Sequence, residues 1–111
     1  MARRAAKVDA NQREVVKALR KAGATVQHLH AVGAGCPDLL VGYKGGNHLV
    51  EVKDGHKPPS ARKLTPDQVV WHRDWRGSPV HVVKSVTEAL AVLGIEPVTD
   101  IEHRGKIGEV K

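Results

Sequence analysis

The fold is decided by residues 38–53, whose sequence is DLLVGYKGGNHLVEVK. Two short apolar runs, at 38–43 and 48–53, flank the segment KGGN at 44–47. A glycine pair between two such runs favours a tight turn that joins antiparallel strands. The segment is therefore predicted to be a β-hairpin.

A symmetric turn centred on the two glycines pairs Leu40 with Glu51 and Asp38 with Lys53. Side chains alternate along a strand, and directly opposite residues of an antiparallel pair share a face. These four residues are thus expected on one side of the hairpin. The other side is expected to carry the apolar residues Leu39, Val41, Tyr43, Val50 and Val52.

The polar side of the hairpin carries two carboxylates. In this register Asp38 and Glu51 are diagonal neighbours, about 7–8 Å apart at the backbone. Two carboxylates at that spacing can hold one hard cation between them. Charged residues are rarely buried in a strand unless they are paired or bound to metal. A surface salt bridge between Glu51 and Lys53 is the structural alternative.

Other elements follow from periodicity and capping signals. Helices are predicted at 8–22, at about 65–76 and at 85–93, and further strands at 24–30 and 80–84. Thr65, Pro66 and Gln68 have the order of a capping box that opens the second helix. The fold class is α/β, with a mixed four-stranded sheet flanked by helices in the order α-β-β-β-α-β-α.

Length and composition favour a single domain. The 111 residues are expected to form one domain at 1–94, with a basic arm at 1–7 and a tail at 95–111. A single cysteine, Cys36, agrees with a reducing compartment. No apolar run approaches the ~20 residues that span a bilayer, so no membrane partner is expected. The expected location is the cytoplasm.

The charge balance indicates a polyanionic partner. The formal net charge is +6 at pH 7, and DNA is the expected partner. The candidate phosphate contacts lie in a loop after the hairpin and in the N-terminal arm: Lys57, Arg62, Lys63, Arg3 and Arg4. Solvated basic segments are the alternative.

Two tryptophans stand four residues apart in the second predicted helix. Trp71 and Trp75 are expected to pack in the core or at a subunit interface rather than to form a platform for bases. The sequence holds only three aromatic residues among Phe, Trp and Tyr, which weakens the case for base stacking.

The motif Pro37-Asp38, followed thirteen positions after Asp38 by Glu51-x-Lys53, resembles that of the PD-(D/E)XK nucleases. The preceding Gly33-x-Gly35-x and the later Gln68 resemble the VRR-NUC branch, which includes small stand-alone phage proteins. The similarity covers roughly residues 8–93. It implies a restriction-endonuclease-like core.

The resemblance also implies a set of ligands for Mg²⁺ or Mn²⁺: Asp38, Glu51, the carbonyl group of Val52, and Glu14 of the first helix. Carboxylate and carbonyl oxygens suit these ions. Glu14 sits at the border of the apolar stripe of its helix and also fits an ordinary solvated residue.

Two further roles follow from the resemblance. Lys53 would orient or help deprotonate the attacking water and offset charge on the phosphate. Gln68 would orient Lys53 or a metal-bound water, with helix capping as its alternative role.

The predicted function is that of a metal-dependent DNA endonuclease. Selectivity for branched DNA such as Holliday junctions is expected, because so small a domain has little room for base readout. A two-fold homodimer is expected as well, since one domain carries one active site. The alternatives are a non-catalytic basic DNA-binding module and a nuclease that requires a targeting protein.

Overall fold

The computed structural model describes residues 10–96 of the chain. Its elements are α1 (Ala10–Lys21), β1 (Thr25–His28), β2 (Leu39–Tyr43), β3 (Gly46–Val52), a 3₁₀ turn (Pro59–Arg62), α2 (Pro66–Asp74), β4 (His81–Val83) and α3 (Val86–Val92). The predicted element order is confirmed. The basic arm and nearly all of the predicted tail lie outside the described residues.

The four strands form one mixed sheet, as predicted, in the order β1-β2-β3-β4. The first three strands are antiparallel neighbours, whereas β3 and β4 run parallel. A parallel pair requires a crossover connection, which α2 supplies. Helix α2 is thereby placed beside the strand that carries Glu51.

The buried core lies on one face of the sheet. Leu39, Val41 and Val50 are at most 1% exposed. They pack with Val15 and Leu19 of α1 in the same apolar cluster. The predicted apolar face of the hairpin is confirmed, and its burial leaves the other face to the polar residues.

The hairpin register differs from the predicted one. Tyr43 pairs with Gly46, so the turn residues are Lys44 (φ 47) and Gly45 (φ 84). Two left-handed central residues define a type I′ turn, whose twist matches that of antiparallel strands. The predicted pairs of Leu40 with Glu51 and of Asp38 with Lys53 are therefore wrong.

The corrected register moves the partners by two positions, which preserves the face of every side chain. Leu39 pairs with Val50. Continuing this register by one residue places Asp38 directly opposite Glu51. The two carboxylates are consequently direct cross-strand neighbours rather than the predicted diagonal ones.

Among residues 10–96, no helix is long and apolar enough to cross a membrane.

Candidate active site

The loop before β2 delivers Asp38 to the edge of the polar face. Gly33, Ala34 and Gly35 all have positive φ angles, of 76°, 54° and 87°. The amide of Cys36 closes this turn by donating to the Gly33 carbonyl over 3.1 Å. A Cβ atom on Gly35 would lie 2.3 Å from the Asp67 carbonyl oxygen. The loop therefore packs against the first turn of α2 at a distance that only glycine permits.

The Asp38 carboxylate is held by the backbone of β3. The Val52 amide donates to Asp38 Oδ2 over 2.8 Å, in place of a backbone acceptor before the start of β2. The amide and carbonyl groups of one strand residue point to the same neighbouring strand. The Val52 carbonyl is accordingly directed to the side on which Asp38 lies.

Glu51 is buried beside Asp38, with only 2% of its surface exposed. Its Oε2 atom accepts a 2.8 Å hydrogen bond from Gln68 Nε2. Its Oε1 atom is buried and has no hydrogen-bond partner among the described residues. One carboxylate oxygen is thus left for a ligand.

The surroundings of Glu51 disfavour its ionised form. Burial and the nearby Asp38 charge raise the pKa of Glu51 to about 7, although Lys53 and Gln68 act in the opposite direction. Burial penalises the charged form, and a second carboxylate repels it. A bound cation would relieve both effects.

Lys53 completes a polar cluster, which consists of Asp38, Glu51 and Lys53. Its ammonium group donates to Gln68 Oε1 over 2.9 Å and lies 3.7 Å from Glu51 Oε2. Its carbonyl accepts a 2.7 Å hydrogen bond from Asn11 Nδ2. This link from α1 was missed in the sequence. The sequence feature that could have indicated this contact is Asn11, a polar residue one helical turn before the buried Val15.

Gln68 contacts both Lys53 and the start of α2. Its Oε1 atom accepts from the Thr65 backbone amide over 2.9 Å, and the Gln68 backbone amide donates to Thr65 Oγ1 over 3.3 Å. These contacts form the capping box that begins α2. The same side chain bridges Lys53 and Glu51, so the start of the helix is tied to the polar cluster.

The structure does not bring every predicted residue to this cluster. Glu14 is exposed on α1, and no contact described for residues 10–96 joins it to the carboxylates. Lys57 and Lys63 are exposed in the loop after β3, and Arg62 is partly buried there. Arg3 and Arg4 lie outside the described residues.

The tryptophan pair lies beside the polar cluster rather than in the core. Trp71 and Trp75 are stacked, with ring centroids 4.7 Å apart and planes inclined by 13°. Trp75 is 46% exposed. The core location is therefore wrong for Trp75, whose short helix α2 contains no buried residue.

The donor set fits a hard divalent cation. It comprises the two adjacent carboxylates, with the orphaned Glu51 oxygen, and the Val52 carbonyl directed to their side. Within the described part of the chain, no three side chains of histidine, cysteine, aspartate or glutamate converge on a common point. Mg²⁺ is commonly held by one or two carboxylates and retains several waters, which matches so small a set.

One solved structure is similar to this chain and is described as a VRR_NUC domain. The two are 30% identical and superpose with a TM-score of 0.56. The similarity covers 75% of this chain and 89% of that one. Comparisons with family models and with curated proteins give no match.

Proposed function

This chain belongs to the VRR_NUC family of PD-(D/E)XK nuclease-type domains, and from that premise we propose that it is a metal-dependent DNA endonuclease. The proposed site consists of Asp38, Glu51, Lys53 and Gln68. The proposed metal is Mg²⁺ or Mn²⁺.

The observation that carries the proposal is the buried pair of carboxylates. Glu51 is almost fully buried beside Asp38, and one of its oxygens has no hydrogen-bond partner among the described residues. Lys53 forms an ion pair with Glu51 Oε2 at 3.7 Å and donates to Gln68 over 2.9 Å. This ion pair leaves the other Glu51 oxygen without a partner among the described residues. This arrangement supports a cation site over the non-catalytic alternative.

The proposed ligands are the Asp38 and Glu51 carboxylates and the Val52 carbonyl. When bound there, the metal would lower the pKa of a water molecule and stabilise the negative charge of the phosphate during displacement. Glu14 is left out of this ligand set, because its side chain is exposed on α1.

Lys53 is proposed to orient the attacking water and to offset charge on the phosphate. Its ammonium group has three donors, and one of them is occupied by Gln68. The remaining donors are available to water and phosphate oxygens. Gln68 fixes the position of the ammonium group and thereby orients its remaining donors toward the water and the phosphate.

DNA affinity is proposed to come from the loop after β3 and from the N-terminal arm. Lys57 and Lys63 are exposed in that loop, which continues directly from the strand that carries Glu51 and Lys53. Phosphate contacts of this kind supply sequence-independent affinity and position the duplex. Branched DNA is the proposed substrate and a two-fold homodimer the proposed assembly, with the cytoplasm as the proposed location.

The experiment is a cleavage panel with labelled duplex, nicked, flapped, forked and four-way DNA. Each substrate is incubated with Mg²⁺, Mn²⁺, Ca²⁺ or excess chelator. We expect cleavage with Mg²⁺ or Mn²⁺, and binding with little cleavage in Ca²⁺, which takes more ligands at longer distances. Undiminished cleavage in chelator would disprove the metal mechanism.

The same panel separates the proposal from the non-catalytic module. DNA binding without cleavage under every metal condition would favour the module. Affinity should fall with added salt in either case, since phosphate contacts release counterions.

A further inference from the structure

A groove of about 450 Å³ runs between the polar face of the sheet and α2. The groove is lined mainly by apolar and aromatic side chains, with a few polar groups. Its lining includes Leu40, Leu49, Trp71, Trp75, Asn47 and Ser78. Its size and composition are typical of sites for small organic groups.

The groove begins where the carboxylate pair ends. Leu40 stands two residues after Asp38 on β2, and Leu49 two residues before Glu51 on β3. Residues two apart on a strand share a face and lie about 6–7 Å apart along it. A group in the groove is therefore roughly one nucleotide away from a phosphate at the carboxylates.

The two sides of the candidate site differ in chemistry. On one side, the loop after β3 presents Lys57 and Lys63, which suit phosphates. On the other side, the apolar groove offers no cation among its lining residues. A continuous duplex would place phosphates along both sides. An unstacked base instead matches an apolar, aromatic groove.

The groove contains the contacts that a base needs. The stacked indoles of Trp71 and Trp75 form one wall, and Trp75 remains 46% exposed. Aromatic side chains stack on bases of any sequence. Asn47 and Ser78 supply hydrogen-bonding groups for the base edge.

We propose that this groove binds one unpaired nucleobase next to the phosphate that is cleaved. The inference rests on the proposed nuclease function and specifies its substrate class. Cleavage then requires a nucleotide that can leave the stack, as at a branch point, a flap or a mismatch. The groove thus gives a physical reason for discrimination against continuous duplex.

Intrinsic fluorescence tests the inference without any cleavage. The chain contains only two tryptophans, and both line the groove. The protein is titrated in excess chelator with a duplex, with the same duplex carrying one unpaired nucleotide, and with a single strand. We expect tryptophan quenching by the two substrates with an unpaired base and little quenching by the continuous duplex. Equal quenching by all three would overturn the proposal.

A pair of variants on α2 provides the matched control. Trp75→Ala removes a wall of the groove, whereas Val69→Ala truncates a similarly exposed side chain outside its lining. Loss of one base–aromatic stack should weaken binding of the unpaired substrate by roughly 5- to 150-fold. Equal affinity of the two variants would contradict the proposal.

Sizing of the free protein provides another test. Protection of the indoles by dimerisation without DNA would show that a second copy occupies the groove, which would overturn the proposal. Selective quenching by a protein that cleaves nothing with any metal would keep the groove and refute the nuclease function. Cleavage whose rate changes neither with an unpaired base nor in Trp75→Ala would refute base binding in the groove and keep the nuclease function.

Discussion

The Lys53 ammonium group donates a hydrogen bond to the Gln68 side-chain carbonyl over 2.9 Å. That carbonyl also accepts from the Thr65 amide at the start of α2. The proposed catalytic residue Lys53 is consequently oriented by Gln68, whose own position is fixed by the helix cap. The helix cap and the proposed catalytic lysine share the Gln68 side chain, and matched variants can separate the two roles.

Gln68→Ala and Thr65→Ala each remove one half of the capping box. Loss of a capping group costs about 1 kcal/mol in each variant. Gln68→Ala should be the less stable of the two, because its side chain also bonds Lys53 and the buried Glu51. Only Gln68→Ala frees Lys53, and residues that orient a catalytic group contribute roughly 10- to 100-fold. We expect kcat to fall by that factor in Gln68→Ala alone, with KM little changed. Equal kcat in the two variants would remove Gln68 from the positioning role.

Gly35→Ala should impair both stability and cleavage. Its new Cβ would meet the Asp67 carbonyl at 2.3 Å and push the start of α2 away. Gly33→Ala is the control, because its φ is also positive but nothing lies within 4 Å of its Cβ position. The left-handed conformation alone costs about 1–2 kcal/mol. Thermal unfolding should show a larger loss for Gly35→Ala, and cleavage should decline only in that variant.

Asp38→Asn, Glu51→Gln and Lys53→Ala should each reduce cleavage by at least about 100-fold, which is the usual cost of one group that stabilises transition-state charge. DNA binding in Ca²⁺ should change little, because affinity is proposed to come from the basic loop and arm. The double variant of the carboxylates should be no worse than either single one, since groups that act as a unit are not additive. A fully active single variant would eliminate that residue from the site.

Glu51→Gln should stabilise the metal-free protein at pH 8. The pKa of Glu51 rises from 4.5 to about 7 on folding. The unfolded chain therefore loses this proton more readily, and the native state loses stability as the pH rises from about 4.5 to 7. Each pKa unit corresponds to about 1.4 kcal/mol, so the gain at pH 8 is at most about 3.5 kcal/mol.

The measurement is chemical unfolding in chelator at pH 4.5 and pH 8. The gain for Glu51→Gln should appear at pH 8 and vanish at pH 4.5, while Glu14→Gln on the exposed side of α1 should show neither change. Added Mg²⁺ should then stabilise the wild-type protein more than Glu51→Gln. A variant that is less stable at pH 8 in chelator would refute the electrostatic account of the pair.

The protein should act as a homodimer that makes paired, symmetric cuts in a four-way junction. Two strands must be cut, and each copy carries one proposed site; two-fold symmetry is the commonest for soluble homo-oligomers. Light scattering at working concentration, alongside cleavage of a junction and its matched linear duplex, tests both parts. A monomer, or equal rates on the two substrates, would contradict the prediction.

Local patterns determined much of this protein in advance. The alternation of residues 38–53 specified a hairpin with one apolar and one polar face, because the side-chain period of a strand is two. The order of Thr65, Pro66 and Gln68 specified the start of α2. The Pro37-Asp38 and Glu51-x-Lys53 motif indicated the family.

Tertiary structure decided the rest. The geometry of the turn placed Asp38 opposite Glu51. The sequence could not predict this pairing, because residue type does not indicate that Lys44 adopts a left-handed conformation. Packing left Glu14 exposed, brought Asn11 to the Lys53 carbonyl and joined Gln68 to Glu51. These contacts link residues far apart in the chain, and periodicity reports only the face on which a residue lies. The groove beside Trp75 is likewise lined by residues from β2, β3 and α2 together, and no single segment of sequence contains it.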